Sequence, residues 1–150
     1  MKKQLTILLL VWIGTFLSGC IGESYDFSPP SVSLWNDEYP VPEVELKEAN
    51  INWSSDQDYR NEIKDVESFV QKQPLLFYPQ GAHVEVVFDQ EEFDLIEMTV
   101  SLWKGEQKTE LPIKEDRSFY LPTEPGIYVL EVFLRTGSGT AQYVGHVKIQ

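Results

Sequence analysis

Along the second half of the chain, hydrophobic and polar positions alternate with a period of two. In "HVEVVF", Val84, Val86 and Phe88 fall on one side, and in "LIEMTVSLW" Ile96, Met98, Val100 and Leu102 do the same. "LLFYP" leads into the turn "PQGA", "TELPI" and "SFYLP" flank the polar "KEDR", and "IYVLEVFLRT" and "AQYVGHVKIQ" are joined through "TGSGT". Such alternation is the mark of half-buried strands, and Gly, Pro and polar clusters mark the turns. Earlier in the chain, Val32 and Leu34 alternate within residues 31–35, and "VPEVELKEANINW" predicts one or two further short strands. Residues 54–73 break the period. Tyr59, Ile63, Val66 and Val70 are spaced by four, three and four, the stripe of an amphipathic helix. Ser55 or Asp56 is placed to cap it and Pro74 to end it. Short strands recurring about every ten residues predict a mainly β chain, an antiparallel β-sandwich with one short helix.

The first twenty residues follow other rules. Met1-Lys2-Lys3 is positive, residues 5–17 carry no charge, and Ser18 and Gly19 are small. A positive start, an apolar middle and a small-residue exit are the parts of a secretory signal peptide. The run is short of the roughly 20 apolar residues of a comfortable membrane span. Leu17-Ser18-Gly19-Cys20 resembles the lipobox of bacterial lipoproteins. That resemblance implies cleavage between Gly19 and Cys20 and a diacylglyceryl group on the Cys20 thiol, often with a further acyl chain on the new amino group. Cys20 is the single cysteine of the chain. Lipidation would also remove the liability of an exposed thiol in an oxidising compartment. Two or more acyl chains, at about 0.8 kcal/mol per buried methylene, hold a protein on a bilayer firmly.

Cleavage there divides the chain into a signal peptide at 1–19, a lipidated Cys20 with a flexible tether over 20–30, and a sandwich domain over 31–150. The tether reading rests on polar residues, Gly22 and the Pro29-Pro30 pair. The net charge of the whole chain is −12, and loss of Lys2 and Lys3 with the signal lowers it to −14. This balance argues against nucleic acid, whose binders need basic patches. It also argues against electrostatic docking on an anionic leaflet. It leaves a solvated acidic surface, or a partner that is basic or a divalent cation. With one cysteine there is no intramolecular disulfide and no Cys metal cluster.

"PGIYVLEV" places Tyr128 just after a Pro-Gly turn at the start of a long strand. The placement resembles the tyrosine corner of immunoglobulin-like sandwiches, in which the hydroxyl bonds back to the backbone. The Cys…Trp…Cys signature of antibody domains is absent. The chain as a whole resembles small lipoproteins of Gram-positive bacteria, on the strength of Pro29-Pro30-Ser31-Val32, the 59–70 segment and the stretch from Pro125 to Tyr128. Some members of that group resemble the immunoglobulin-like domain of an intracellular proteinase inhibitor. The resemblance implies an immunoglobulin-like fold and an extracytoplasmic address, and no shared activity.

Catalytic signatures are missing from the sequence: no G-x-S-x-G elbow, no H-E-x-x-H and no P-loop. Gly137-Ser138-Gly139 lies between two strands and reads as a hairpin, since a phosphate cradle needs a helix N-terminus. His83 and His146, the only histidines, fall on the solvent side of their alternations. Asp89, Glu91, Glu92 and Asp94 crowd one loop, with Asp116 and the Asp56/Asp58 pair as candidate additions. Calcium needs such oxygens on a flexible loop, but neither the EF-hand spacing nor its turn glycine is present. Trp35, Trp53 and Trp103 are candidates for core packing or for an exposed platform, and Trp103 alternates away from the apolar face of its strand. "LPTEPG", residues 121–126, is the most Pro-stiffened loop.

The expectation is therefore a non-enzymatic, lipid-anchored binding or accessory module on the extracytoplasmic face of the cell membrane. It has no cofactor beyond the diacylglycerol on Cys20, no nucleic-acid partner, and an extracytoplasmic protein partner. An envelope protease inhibitor is the alternative, followed by a carbohydrate- or calcium-binding domain.

Overall fold

The computed structural model describes residues 28–36 and 43–150. Its strands are β1 (Val32–Trp35), β2 (Val44–Glu45), β3 (Lys47–Ser54), β4 (Asp58–Asn61), β5 (Leu75–Tyr78), β6 (His83–Phe88), β7 (Leu95–Lys104), β8 (Gln107–Leu111), β9 (Ser118–Tyr120), β10 (Gly126–Thr136) and β11 (Gly139–Ile149). A single helix among the described residues, α1 (Val66–Gln71), interrupts them. The fold is the mainly β sandwich that the strand spacing predicts.

Its smaller sheet has the order β2-β1-β6-β9, and its larger one β4-β3-β11-β10-β7-β8. Every pairing is antiparallel except that of β5, which lies parallel to the second half of β11. On that edge β3 pairs with the first half of β11, from Gly139 to Val144, and β5 takes over from His146 to Ile149. Leu46 closes the gap between them. A Cβ on Gly145 would stand 2.7 Å from the Leu46 Cδ2, so glycine lets this side chain reach the sheet. Gly139 has φ of +138°, and a Cβ there would stand 2.0 Å from the Asn52 carbonyl oxygen, which fixes glycine at the β10–β11 turn.

The alternation seen in sequence becomes burial. β6 has its even positions buried and its odd positions half-buried. Val84, Val86 and Phe119 of the small sheet meet Leu130, Val132, Leu134, Tyr143 and Val147 of the large one, all at most 1% exposed. Ile96, placed by its alternation on the apolar face of β7, is 53% exposed, while Val100 and Leu102 further along are buried.

The segment from 54 to 73 differs from expectation. Residues 58–61 form a strand, with Trp53 opposite Tyr59 and Ser54 opposite Asp58. The free edge of β3 offers backbone hydrogen bonds that an isolated helical turn cannot match, and tertiary pairing overrides the helical stripe. The helix begins later because Asp65 caps it: its carboxylate accepts from the Ser68 N–H at 3.0 Å and from the Ser68 hydroxyl at 2.7 Å. Both bonds hold the Asp65 carboxyl below the usual carboxylate range, the backbone one most. Ile63, Val66 and Val70 still pack together, against Ala49 and Val144. Tyr59 leaves the stripe and donates its hydroxyl to Glu48 at 2.6 Å.

Pro29 and Pro30, read from sequence as the end of the tether, are buried against the domain. The Tyr143 hydroxyl donates to the Pro30 carbonyl at 2.5 Å, and Gln90 donates to that of Ser28.

Candidate functional site

The strands of the large sheet turn a second face away from the core, and α1 lies across part of it. The pairing register brings Trp103, Val129 and His146 into one row on this face. Ser101, Glu131 and Val144 form the next row, and Thr99, Phe133 and Gln142 the one after. α1 covers Val144 and Val129 with Val66, Phe69 and Val70. Beside the helix the face stays open. One groove, about 380 Å³, is lined by Val66, Glu67, Trp103, Glu106, Val129 and Glu131, and ends on Gln142. A second, about 590 Å³, runs from Gln142 past Phe133 and Thr140 to Asn50, Asn52 and Arg60. The two grooves share Gln142.

A chain of polar side chains forms the floor. The Ile63 N–H donates to the Asn50 Oδ1 at 2.8 Å, and the Asn50 Nδ2 to the Gln142 Oε1 at 2.7 Å. The Gln142 Nε2 donates to the Glu131 Oε2 at 2.6 Å, and the Lys108 Nζ to the Glu131 Oε1 at 2.8 Å. The same ammonium stands 4.9 Å from the centre of the Trp103 ring. Glu131 is only 5% exposed, so each carboxylate oxygen is matched by a donor, as a buried charge requires. Beside Glu131 in the register, the Ser101 hydroxyl is buried with no hydrogen-bond partner among the described residues.

The residues singled out from sequence are spread over the molecule. Cys20 and Gly19, with the whole of 1–19, lie outside the described residues. Tyr128 sits at the start of β10, and its hydroxyl donates to the Glu124 carbonyl at 3.1 Å, four residues upstream. Trp53 is buried and meets Phe93 edge to face, Trp35 is 40% exposed, and Trp103 is half-buried at the groove. His83 and His146 belong to different sheets. His83 is half-buried with its ring 5.0 Å from that of Tyr120. His146 is also half-buried, its Nδ1 sealed from solvent without a hydrogen-bond partner among the described residues. Neither stands free in solvent as alternation suggests, because Tyr120 flanks one and the β5 strand pairs beside the other.

The acidic loop does not converge. Asp89 accepts from the Ser31 N–H at 2.7 Å, and Glu91 pairs with Arg117 at 2.6 Å. The Asp94 carbonyl accepts from the Gly137 N–H. Asp58 accepts from the Ser54 hydroxyl. Asp116 accepts from the Ser118 hydroxyl and N–H, which lower its pKa. Among the described residues no three His, Cys, Asp or Glu side chains gather as a metal site would need. Gly137-Ser138-Gly139 forms the β10–β11 turn.

The groove was missed in sequence, although a signal existed. The outward positions of β10 are Ile127, Val129, Glu131 and Phe133, where a solvated face would be polar. That pattern marks an outer face under partial cover.

No family model, no curated protein and no solved structure matches the chain.

Proposed function

We propose that the chain is a lipid-anchored, extracytoplasmic binding module without catalytic activity, of the Gram-positive lipoprotein kind. The observation that carries this reading is Leu17-Ser18-Gly19-Cys20 at the end of an uncharged run that starts with two lysines. A diacylglyceryl group on Cys20 holds the domain at the outer surface of the cell membrane. Nine positions separate Cys20 from Pro29, a buried residue of the domain, and even a fully extended chain of that length reaches only about 30 Å. The domain thus works close to the bilayer, on a protein partner. The grooved outer face of the large sheet supports this use, since grooves lined by apolar and hydrogen-bonding groups suit recognition.

Photo-crosslinking of the full, tagged chain on intact membranes tests the reading. One reproducible extracytoplasmic protein, recovered from the wild type and not from Cys20→Ala, supports it. Recovery of background proteins alone overturns it.

A second reading, an envelope protease inhibitor, draws on the loop from Leu121 to Gly126. Its ends are held: Leu121 is buried and donates its N–H to the Ala82 carbonyl, and Pro122 accepts from the Gly81 N–H. Glu124 pairs with Lys104 at 2.6 Å and receives the Tyr128 hydroxyl. Thr123, Glu124 and Pro125 stand exposed on this fixed base, and a rigid exposed loop is what tight inhibition needs. Absence of inhibition of extracellular serine, cysteine and metalloproteases at stoichiometric concentration removes this reading.

A further inference from the structure

The groove beside α1 has an apolar wall and an acidic rim. Val66 of the helix, Val129 of β10 and the Trp103 ring form the wall. Glu67 and Glu106 stand exposed at the rim, and Glu131 lies buried at the floor. Among the described residues that line the groove, none is basic. Lys108, the nearby cation, is spent on Glu131 and on one face of Trp103. Of the two rim carboxylates, Glu67 receives, among the described residues, a long contact of 3.4 Å from the Gln71 side-chain amide. The slot therefore offers a surface for an aliphatic stem and, at its rim, negative charge for the end of that stem.

We propose that this groove receives a lysine or arginine side chain from a basic segment of the protein partner. The inference rests on the binding-module reading and names the chemistry of that partner. Charge complementarity selects the occupant, because the chain carries −12 overall and the slot concentrates acidic groups beside apolar ones. Long cationic side chains bury their methylenes on apolar surface and keep the charged end at carboxylates, which matches the order of groups here. A sugar fits less well, since the Lys108 ammonium already covers a face of Trp103. The adjoining groove, reached through Gln142, gives the rest of the segment a course past the side-chain amides of Asn50 and Asn52.

The test uses the full chain in detergent micelles and a blocked pentapeptide, Gly-Lys-Gly-Arg-Gly. Its partner probe carries acetyl-lysine and citrulline at the same positions. The readout is the indole N–H resonance of Trp103, identified by its loss in Trp103→Phe. The cationic peptide is expected to shift it saturably and the neutral one to leave it in place. Glu67→Gln and Glu106→Gln should each weaken binding up to about fivefold, the upper range for an exposed ion pair. Glu92→Gln with Glu115→Gln, which removes the same charge outside the groove, should leave affinity unchanged. Equal binding of the neutral peptide, no shift with the cationic one, or equal weakening by the outside pair overturns the proposal. The membrane crosslinking separates the two claims. A partner recovered equally by wild type and by the Glu67→Gln/Glu106→Gln variant removes the groove and leaves the module. Saturable peptide binding with no partner on membranes removes the module and leaves the groove.

Discussion

On β10, Leu130, Val132 and Leu134 turn toward the small sheet, while Val129, Glu131 and Phe133 turn the other way. The inward residues meet an apolar layer from both sheets and are sealed from water. The outward ones meet a six-residue helix, a polar chain through Glu131 and Gln142, and two open grooves. The same strand thus serves two ends. Its inner face supplies burial, on the order of 1.5–3 kcal/mol for each large side chain sealed. Its outer face is only partly closed, and what remains there is shape and charge. A sheet covered on one side by another sheet and on the other by a single short helix keeps an open working surface without opening its core.

Neighbouring positions 130 and 131 test this division first. Leu130→Ala removes a fully buried side chain and should destabilise by about 2–5 kcal/mol in denaturant unfolding. Glu131→Ala should cost less, about 1–3 kcal/mol, through the stranded donors of Lys108 and Gln142. Glu131→Gln, which keeps one acceptor oxygen for these donors, should recover part of that loss. If Glu131→Ala costs as much as Leu130→Ala, the outer face is a second core and the comparison fails.

Alkaline pH sharpens the inner side. Burial raises Tyr78 to about 12 and raises Tyr143 further. The unfolded chain releases these protons near pH 10, and the folded chain keeps them. Stability is therefore fully present below pH 10 and falls as pH rises from 10 toward 12. Tyr78→Phe should make that fall shallower, as read by thermal unfolding at pH 9, 10 and 11. An unchanged slope would count against burial of the phenol.

Smaller effects probe the supports. Tyr128→Phe deletes the hydroxyl that reaches the Glu124 carbonyl and should cost about 1 kcal/mol. The loss should appear as faster amide exchange over residues 121–126. Asp65→Ala removes the cap of α1 and should give the smallest loss of stability of the set, read as faster amide exchange in the first turn of α1. Because α1 covers only the outer face, this variant should leave the inner core's exchange protection intact. Loss of protection at Val132 or Val147 in that variant would contradict the separation of the two faces.

How far the sequence reaches depends on whether the deciding contact is local. Val84, Val86 and Phe88 alternate, and that alone places β6 on the core. Tyr128 after Pro125-Gly126 needs only a partner four residues away, and the hydroxyl finds it. The 58–61 segment is different. Its spacing fits a helix, but the free edge of β3 claims it, and no local pattern records that edge. Asp65 rather than Ser55 or Asp56 is the cap for the same reason. Pro29 and Pro30 look like a tether until Tyr143, more than a hundred residues on, hydrogen-bonds the backbone of Pro30. The groove is the farthest from view. Glu131 reads as one more solvated acid, and its burial comes from Lys108 and Gln142 on two other strands. The acidic loop from Asp89 to Asp94 shows the reverse case: it is dense in sequence, yet Ser31, Arg117 and Gly137 draw its groups apart.

The most direct test of the account is the intact mass and membrane fractionation of the wild type beside Cys20→Ala in a Gram-positive host. The account predicts a membrane-bound wild type that begins at Cys20 and carries the added mass of a diacylglyceryl group, and an alanine variant that is neither cut there nor lipidated. A wild type that keeps Met1 to Gly19 and gains no lipid mass would contradict it.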